Sequence, residues 1–212
     1  MCFASSSYGR TTSLSFQHFP YIDQLPSNSI NRLYNDKEGY MWFGSKDGLC
    51  RFDGYSIKIF RSSSTNPNRL TNNSIQTIAE DDNNRIWIGT LAGVNIIDKK
   101  NYRIQPLNNQ YVGRDKVNSI IKDKQGTMWV GTGNNGLIRI YPDGSSIRFG
   151  ANVKGRYHIS GNTIMKLYED SEGRIWVMIN NQGISLFHPE KLQFEQFPPF
   201  PGMGDPFNMI ED

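Results

Sequence analysis

Short apolar runs recur along the chain at a near-constant interval, each with the same neighbours. Met41-Trp42-Phe43-Gly44, Ile86-Trp87-Ile88-Gly89, Met128-Trp129-Val130-Gly131 and Ile175-Trp176-Val177-Met178 hold all four tryptophans, spaced 45, 42 and 47 residues apart. Twelve and nine residues before each Trp lie two apolar residues: Ile30 and Leu33, Ile75 and Ile78, Val117 and Ile120, Ile164 and Leu167. A spacing of three does not alternate, so it predicts either a strand buried on both faces or a bulged one. Beyond each Trp run a further apolar pair follows: Leu49 and Phe52, Val94 and Ile97, Leu137 and Ile140, Ile184 and Phe187. Alternating segments such as Ile57-Lys58-Ile59-Phe60 and Phe194-Glu195-Gln196-Phe197 come last. No segment shows a 3.6-residue apolar period over ten or more residues, which excludes helical repeats.

Turn residues fall between these runs. Six residues before each Trp is Asp36, Asp81, Asp123 or Asp170, and three before it is Gly39, Asn84, Gly126 or Gly173. Asn is the substitution expected where a turn needs positive φ, so D-x-x-G reads as a hairpin turn. A second turn ends in Gly48, Gly93, Gly136 or Gly183. Each repeat is therefore four short strands, a to d. The expected fold is all-β: a β-propeller segment of four four-stranded blades, about residues 28–60, 73–107, 115–149 and 162–198. Trp42, Trp87, Trp129 and Trp176 are expected to pack between neighbouring blades, as a slot repeated in every sheet requires.

The ends of the pattern point to an incomplete ring. Leu14-Ser15-Phe16-Gln17-His18-Phe19-Pro20 matches Leu192-Gln193-Phe194-Glu195-Gln196-Phe197-Pro198, so residues 14–20 are expected to be an outer strand d without its own a to c. Met209-Ile210-Glu211-Asp212 matches Leu167-Tyr168-Glu169-Asp170, so a fifth blade is expected to begin at about 207. Residues 1–13 read as a disordered N-terminus or the remnant of a signal peptide.

Composition narrows the function classes. The chain has 212 residues, 37% hydrophobic and 20% charged, with a net charge of +3. That charge is too mild, and too free of basic runs, for nucleic-acid binding through this segment. No stretch approaches the ~18 apolar residues of a membrane helix. Cys2 and Cys50 build neither a disulfide framework nor a metal site, and Cys50, in a strand, is expected to be a buried thiol.

The recurring pattern N-x-I-x-x-L-x-x-D-x-x-G-x-x-W-x-G-(S/T)-x-x-G-(L/V) resembles the two-component regulator propeller repeat. Ser27-Asn28-Ser29-Ile30 and Trp42-Phe43-Gly44-Ser45-Lys46-Asp47-Gly48-Leu49 resemble the start of the sensor domains of Bacteroidetes hybrid two-component systems. Asp115 stands in the Asn slot of repeat three, Asn84 in the Gly slot of repeat two, and Met178-Ile179 replaces Gly-Thr in repeat four. The resemblance implies a periplasmic sensor of glycan fragments. Its remaining propeller, immunoglobulin-like domain, membrane helix, histidine kinase, receiver and DNA-binding domain are not in this sequence. It also implies a homodimeric parent.

No catalytic residue, metal ligand set or cofactor motif is assigned. His18, His158 and His188 have no metal-ligand spacing. The repeated aspartates are better suited to turn capping than to calcium, because Lys37 and Lys124 follow two of them. Ligand chemistry is instead expected on the b–c and d–a loops, which open on one face of a blade. The candidates there are Asp47, Asn134, Asn135, Asn181, Gln182, Arg156, Tyr157 and His158. Side-chain amides donate and accept, which suits sugar hydroxyls. An aromatic ring can stack on a pyranose, and arginine can hold a uronate or sulfate. An oligosaccharide or other small ligand is the expected partner. A propeller lyase or a protein-interaction scaffold are the competing readings.

Overall fold

The computed structural model describes residues 21–199, as four separate four-stranded antiparallel sheets in which hydrogen-bonded neighbours are also neighbours in sequence. The first holds β1 (Ile30–Asn35), β2 (Met41–Ser45), β3 (Leu49–Phe52) and β4 (Ile57–Phe60). The second holds β5 (Ile75–Glu80), β6 (Arg85–Thr90), β7 (Gly93–Asp98) and β8 (Ile104–Pro106). The third holds β9 (Val117–Lys122), β10 (Met128–Thr132), β11 (Leu137–Ile140) and β12 (Ser146–Phe149). The fourth holds β13 (Ile164–Glu169), β14 (Ile175–Ile179), β15 (Gly183–His188) and β16 (Gln193–Phe197). The outer strand expected at 14–20 and the fifth blade expected from 207 lie outside the described residues, as does the N-terminal segment 1–13.

The three-residue spacing of the first strands has a single cause. In all four sheets the a–b ladder slips by one residue, between Ile30 and Arg32, Ile75 and Thr77, Val117 and Ser119, and Ile164 and Lys166. The extra residue restores the phase, so Ile75 opposite Thr90 and Ile78 opposite Ile88 point to the same side of the sheet. That side packs on the preceding sheet. Ile78, Ile120 and Leu167 are 8%, 3% and 2% exposed. Leu33, at the same position of the first sheet, is 65% exposed, because no described sheet precedes it.

The opposite side of each sheet carries the tryptophan. Trp42 lies in one core cluster with Ile75, Ile78, Ile86 and Ile88 of the second sheet. Trp87 lies with Val117, Ile120 and Val130 of the third, and Trp129 with Ile164, Leu167 and Val177 of the fourth. These three rings are at most 3% exposed. Trp176 faces away from the third sheet, is half-buried and packs on Phe197 with ring centroids 5.8 Å apart. The hydrophobic core is thus three inter-sheet layers rather than one centre, as side-by-side blades demand.

The first strands of successive sheets line up along one edge. The Thr77 hydroxyl accepts the Ile120 backbone N–H and the Ser119 hydroxyl that of Leu167, each at 3.1 Å. The glycine after the Trp-x pair of the first three repeats makes this approach possible. A Cβ on Gly131 would sit 2.6 Å from Ile164 Cγ2, and one on Gly44 2.7 Å from Ile75 Cγ2. Cys50 is fully buried in β3, and burial pushes its thiol up to about 11.

Candidate functional site

The two ends of the sheets are built differently. At one end stand the a–b and c–d turns, and there the fold commits its carboxylates. Asp123 Oδ1 accepts the Gln125 and Thr127 backbone N–H groups at 3.0 and 2.8 Å, and its Oδ2 accepts the Trp129 indole N–H at 2.8 Å. Asp36, Asp81 and Asp170 repeat this three-bond clamp on Trp42, Trp87 and Trp176. The six-residue spacing between Asp and Trp is therefore a hydrogen bond across the hairpin. Asn84 takes φ 60° in the glycine slot of the turn. These carboxylate oxygens are occupied by N–H donors, which accounts for the lysines that follow two of them.

Charge pairs tie the turns of neighbouring sheets together. The Lys99 ammonium is buried between the first and second sheets, 2.6 Å from Glu80, 3.5 Å from Asp36 and 3.6 Å from Glu38. Asp82 receives Lys122 at 2.6 Å and Lys37 at 2.8 Å, bridging three sheets, and those two bonds hold its carboxyl down to about 2. Burial works against ionisation of Asp170. Hydrogen bonds from Trp176 and Arg174 outweigh it and keep this carboxyl at about 2.

At the other end stand the b–c turns and the d–a loops, stitched to each other by main-chain bonds. Gly93 N–H donates to Asp115, Gly136 N–H to Asn162 and Asn180 N–H to Thr163. The candidate residues all lie at this end. Asn134, Asn135, Asn181 and Gln182 sit in the b–c turns of the third and fourth sheets, and Arg156, Tyr157 and His158 in the d–a loop between those sheets. Asp47 sits in the b–c turn of the first sheet, two sheets away; its carbonyl accepts Arg61 Nε at 3.0 Å.

Several of these groups already have partners. Asp115 accepts the Asn134 side-chain amide at 2.7 Å and the backbone N–H groups of Asn134 and Asn135 at 2.8 and 2.9 Å. The aspartate in the Asn slot of repeat three is thus the brace of a longer turn. Tyr157 joins the core layer between the third and fourth sheets, edge-on to Phe149 at 5.9 Å, and Arg156 lies over its ring at 5.1 Å. Arg156 and His158 are exposed.

A cleft of about 610 Å³ opens beside the d–a loop between the first and second sheets. Ser62, Ser63, Arg69, Thr71, Ala92 and Arg114 are among its walls. Arg69 is anchored by a hydrogen bond from its guanidinium to the Ser63 carbonyl. The loop is recognisable in sequence as a long, varied insertion, but its individual residues are not. The signal that could mark them is the Ser62-Ser63-Ser64 run and Arg69, which differ from the residues of the equally long d–a loop at 150–163.

Fold and site together define a segment of a β-propeller whose blades form a scaffold and whose loops are free to vary. The two-component regulator propeller profile matches residues 24–47, 69–92, 112–134 and 158–181, one match for each repeat. The chain carries four copies of that family's repeat. It is similar to a solved structure described as the extracellular domain of a hybrid two component system from B. thetaiotaomicron. The TM-score is 0.65 at 28% identity, over 83% of this chain and 24% of that one. A second extracellular domain from the same organism aligns with a TM-score of 0.68 at 23% identity, over 86% of this chain and 27% of that one. Over 59 residues, 28% of this chain and 4% of the relative, it is 37% identical to histidine kinase P4 of Formosa agariphila. The chain thus spans about a quarter of the solved domains and a small part of the kinase. A virginiamycin B lyase from Staphylococcus aureus shares the fold, with a TM-score of 0.59 at 16% identity over 80% of this chain and 55% of that one.

Proposed function

We propose that this chain is part of the periplasmic sensor of a hybrid two-component receptor, and that its b–c and d–a loop face holds a saccharide. The observation that carries the reading is the division of labour between the two ends. The turn end spends its carboxylates on indole and backbone donors, while the loop end holds a polar cleft of about 610 Å³ and exposed Asn181, Arg156 and His158. Likeness to extracellular domains of two-component systems supports the compartment and the signalling role. In the parent receptor, phosphoryl chemistry falls to a histidine kinase across the membrane, and a homodimer transmits the signal. This segment supplies recognition.

The test is a thermal-shift screen of acidic and neutral oligosaccharides on the purified full chain, because a ligand that binds only the folded form raises Tm by mass action. At least one saccharide class is expected to raise Tm, and substitutions at the loop end to abolish the rise. No shift with any saccharide, or turnover of a lyase substrate, would overturn the reading.

A further inference from the structure

The loop end is cationic and unneutralised. The b–c turns and d–a loops of the described residues hold Lys46, Arg61, Arg69 and Arg114, and also Lys116, Lys154 and Arg156, against three carboxylates, Asp23, Asp47 and Asp115. Asp115 is turned onto Asn134 and Asn135. The a–b and c–d turns hold the reverse balance, ten carboxylates to seven cations. Among the described residues, none of the seven loop-end cations takes part in an ion pair; the ion pairs belong to residues such as Lys37, Arg85, Lys99, Lys122 and Arg174 at or beside the other turns. A net charge of +3 therefore conceals a molecule with one positive and one negative end.

Two of the free cations share the cleft. Arg69 is held by the Ser63 carbonyl and keeps further N–H donors, and Arg114, also lining the cleft, is exposed. Ser62, Ser63 and Thr71 add hydroxyls beside them. Guanidinium forks match planar or tetrahedral oxyanions with two parallel bonds, and the uncompensated charge around the cleft raises the local concentration of anions.

We infer that the cleft lined by Arg69 and Arg114 binds the uronate or sulfate group of an acidic oligosaccharide, with the serine hydroxyls on its ring oxygens. This inference rests on the saccharide reading of the loop face and narrows its ligand to an anionic class.

The experiment is isothermal titration of the full chain with three probes at low and physiological ionic strength: a sulfated, uronate-containing tetrasaccharide, a neutral gluco-tetrasaccharide, and a short single-stranded DNA. The sulfated probe is expected to bind, to weaken as salt rises, and to lose about tenfold in affinity in Arg69→Ala and again in Arg114→Ala, each equivalent to ~1.4 kcal/mol. Lys100→Ala, an exposed cation at the opposite end, keeps wild-type affinity and controls for net charge. Tight, salt-insensitive binding of the neutral probe that survives both arginine substitutions would overturn this inference and leave the saccharide reading standing. Equal binding of DNA would overturn it too, by reducing the cleft to a general polyanion surface. Failure of both saccharides would overturn both readings. Unchanged melting curves for the arginine variants show that lost binding is not lost folding.

Discussion

Replacing Asp123 with alanine removes one residue and disarms three donors. The carboxylate is 2% exposed and accepts two backbone N–H groups and the Trp129 indole N–H at 2.8 to 3.0 Å. Gln125 is exposed and its N–H can turn to water, but Thr127 and Trp129 are buried at 2% and 1% exposure. Two buried donors without acceptors cost ~1–3 kcal/mol each. The small cavity left by the side chain adds to this, so Asp123→Ala should destabilise the chain by about 3–5 kcal/mol. Asp123→Asn should fall between the two. Its carbonyl can keep the backbone bonds, but its amide N–H₂ then faces the indole N–H. Urea unfolding followed by tryptophan fluorescence measures both, with an unchanged m-value as the check that the same transition is observed. A loss below ~1 kcal/mol for alanine, or equal losses for alanine and asparagine, would show that the clamp is not what joins turn to core.

Two other perturbations test neighbouring parts of the reasoning. Gly136 and Gly144 both have positive φ, at 84° and 87°, but a Cβ on Gly136 would lie 2.1 Å from the Phe149 carbonyl whereas one on Gly144 meets nothing within 4 Å. Gly144→Ala should cost ~1 kcal/mol and Gly136→Ala ~3 kcal/mol or more; equal drops in Tm would refute the steric part. Asp170 is held at about 2 in the folded chain, below the ~3.9 of an unfolded aspartate. Its contribution is complete above pH ~4 and is lost as the pH falls towards 2. Acid unfolding monitored by fluorescence should therefore be less steep in Asp170→Asn, and an identical slope would contradict the assignment.

The repeats, their four strands and the inter-sheet place of the tryptophans are legible in sequence because each is written four times in register. What one blade owes to another is not. The slot spacing of Ile75 and Ile78 allows either a doubly buried strand or a bulge, and only pairing with Thr90 and Ile88 decides it. Lys99 reads as a surface lysine until the first sheet brings Asp36 and Glu38 to it. Tyr157 looks like a free aromatic platform beside Arg156 and His158, yet its ring is needed against Phe149. The d–a loop at residues 61–74 has a counterpart of equal length at 150–163, but the side chains differ between the two, so repetition does not mark Arg69, and Arg114 joins it in lining the cleft from the next d–a loop.

The polarity of the molecule follows from how its blades are made. A buried indole N–H needs an acceptor, and in each repeat that acceptor is an aspartate in the a–b turn. Every blade added to such a structure therefore adds a carboxylate to the same end. Further carboxylates beside them, Asp82 and Glu80, hold Lys37, Lys122 and Lys99 in pairs between sheets, with Asp36 itself 3.5 Å from Lys99, so part of the charge at the turn end is balanced by contacts that also hold neighbouring blades together. The opposite end has no such demand. Its b–c turns are capped by the neutral hydroxyls of Ser45, Thr90 and Thr132, and cations placed there stay unpaired. On the proposed reading, the loop face can acquire affinity for anions by substitutions that leave the packing between blades untouched, because the ion pairs between sheets and the unpaired cations sit at opposite ends of the same strands.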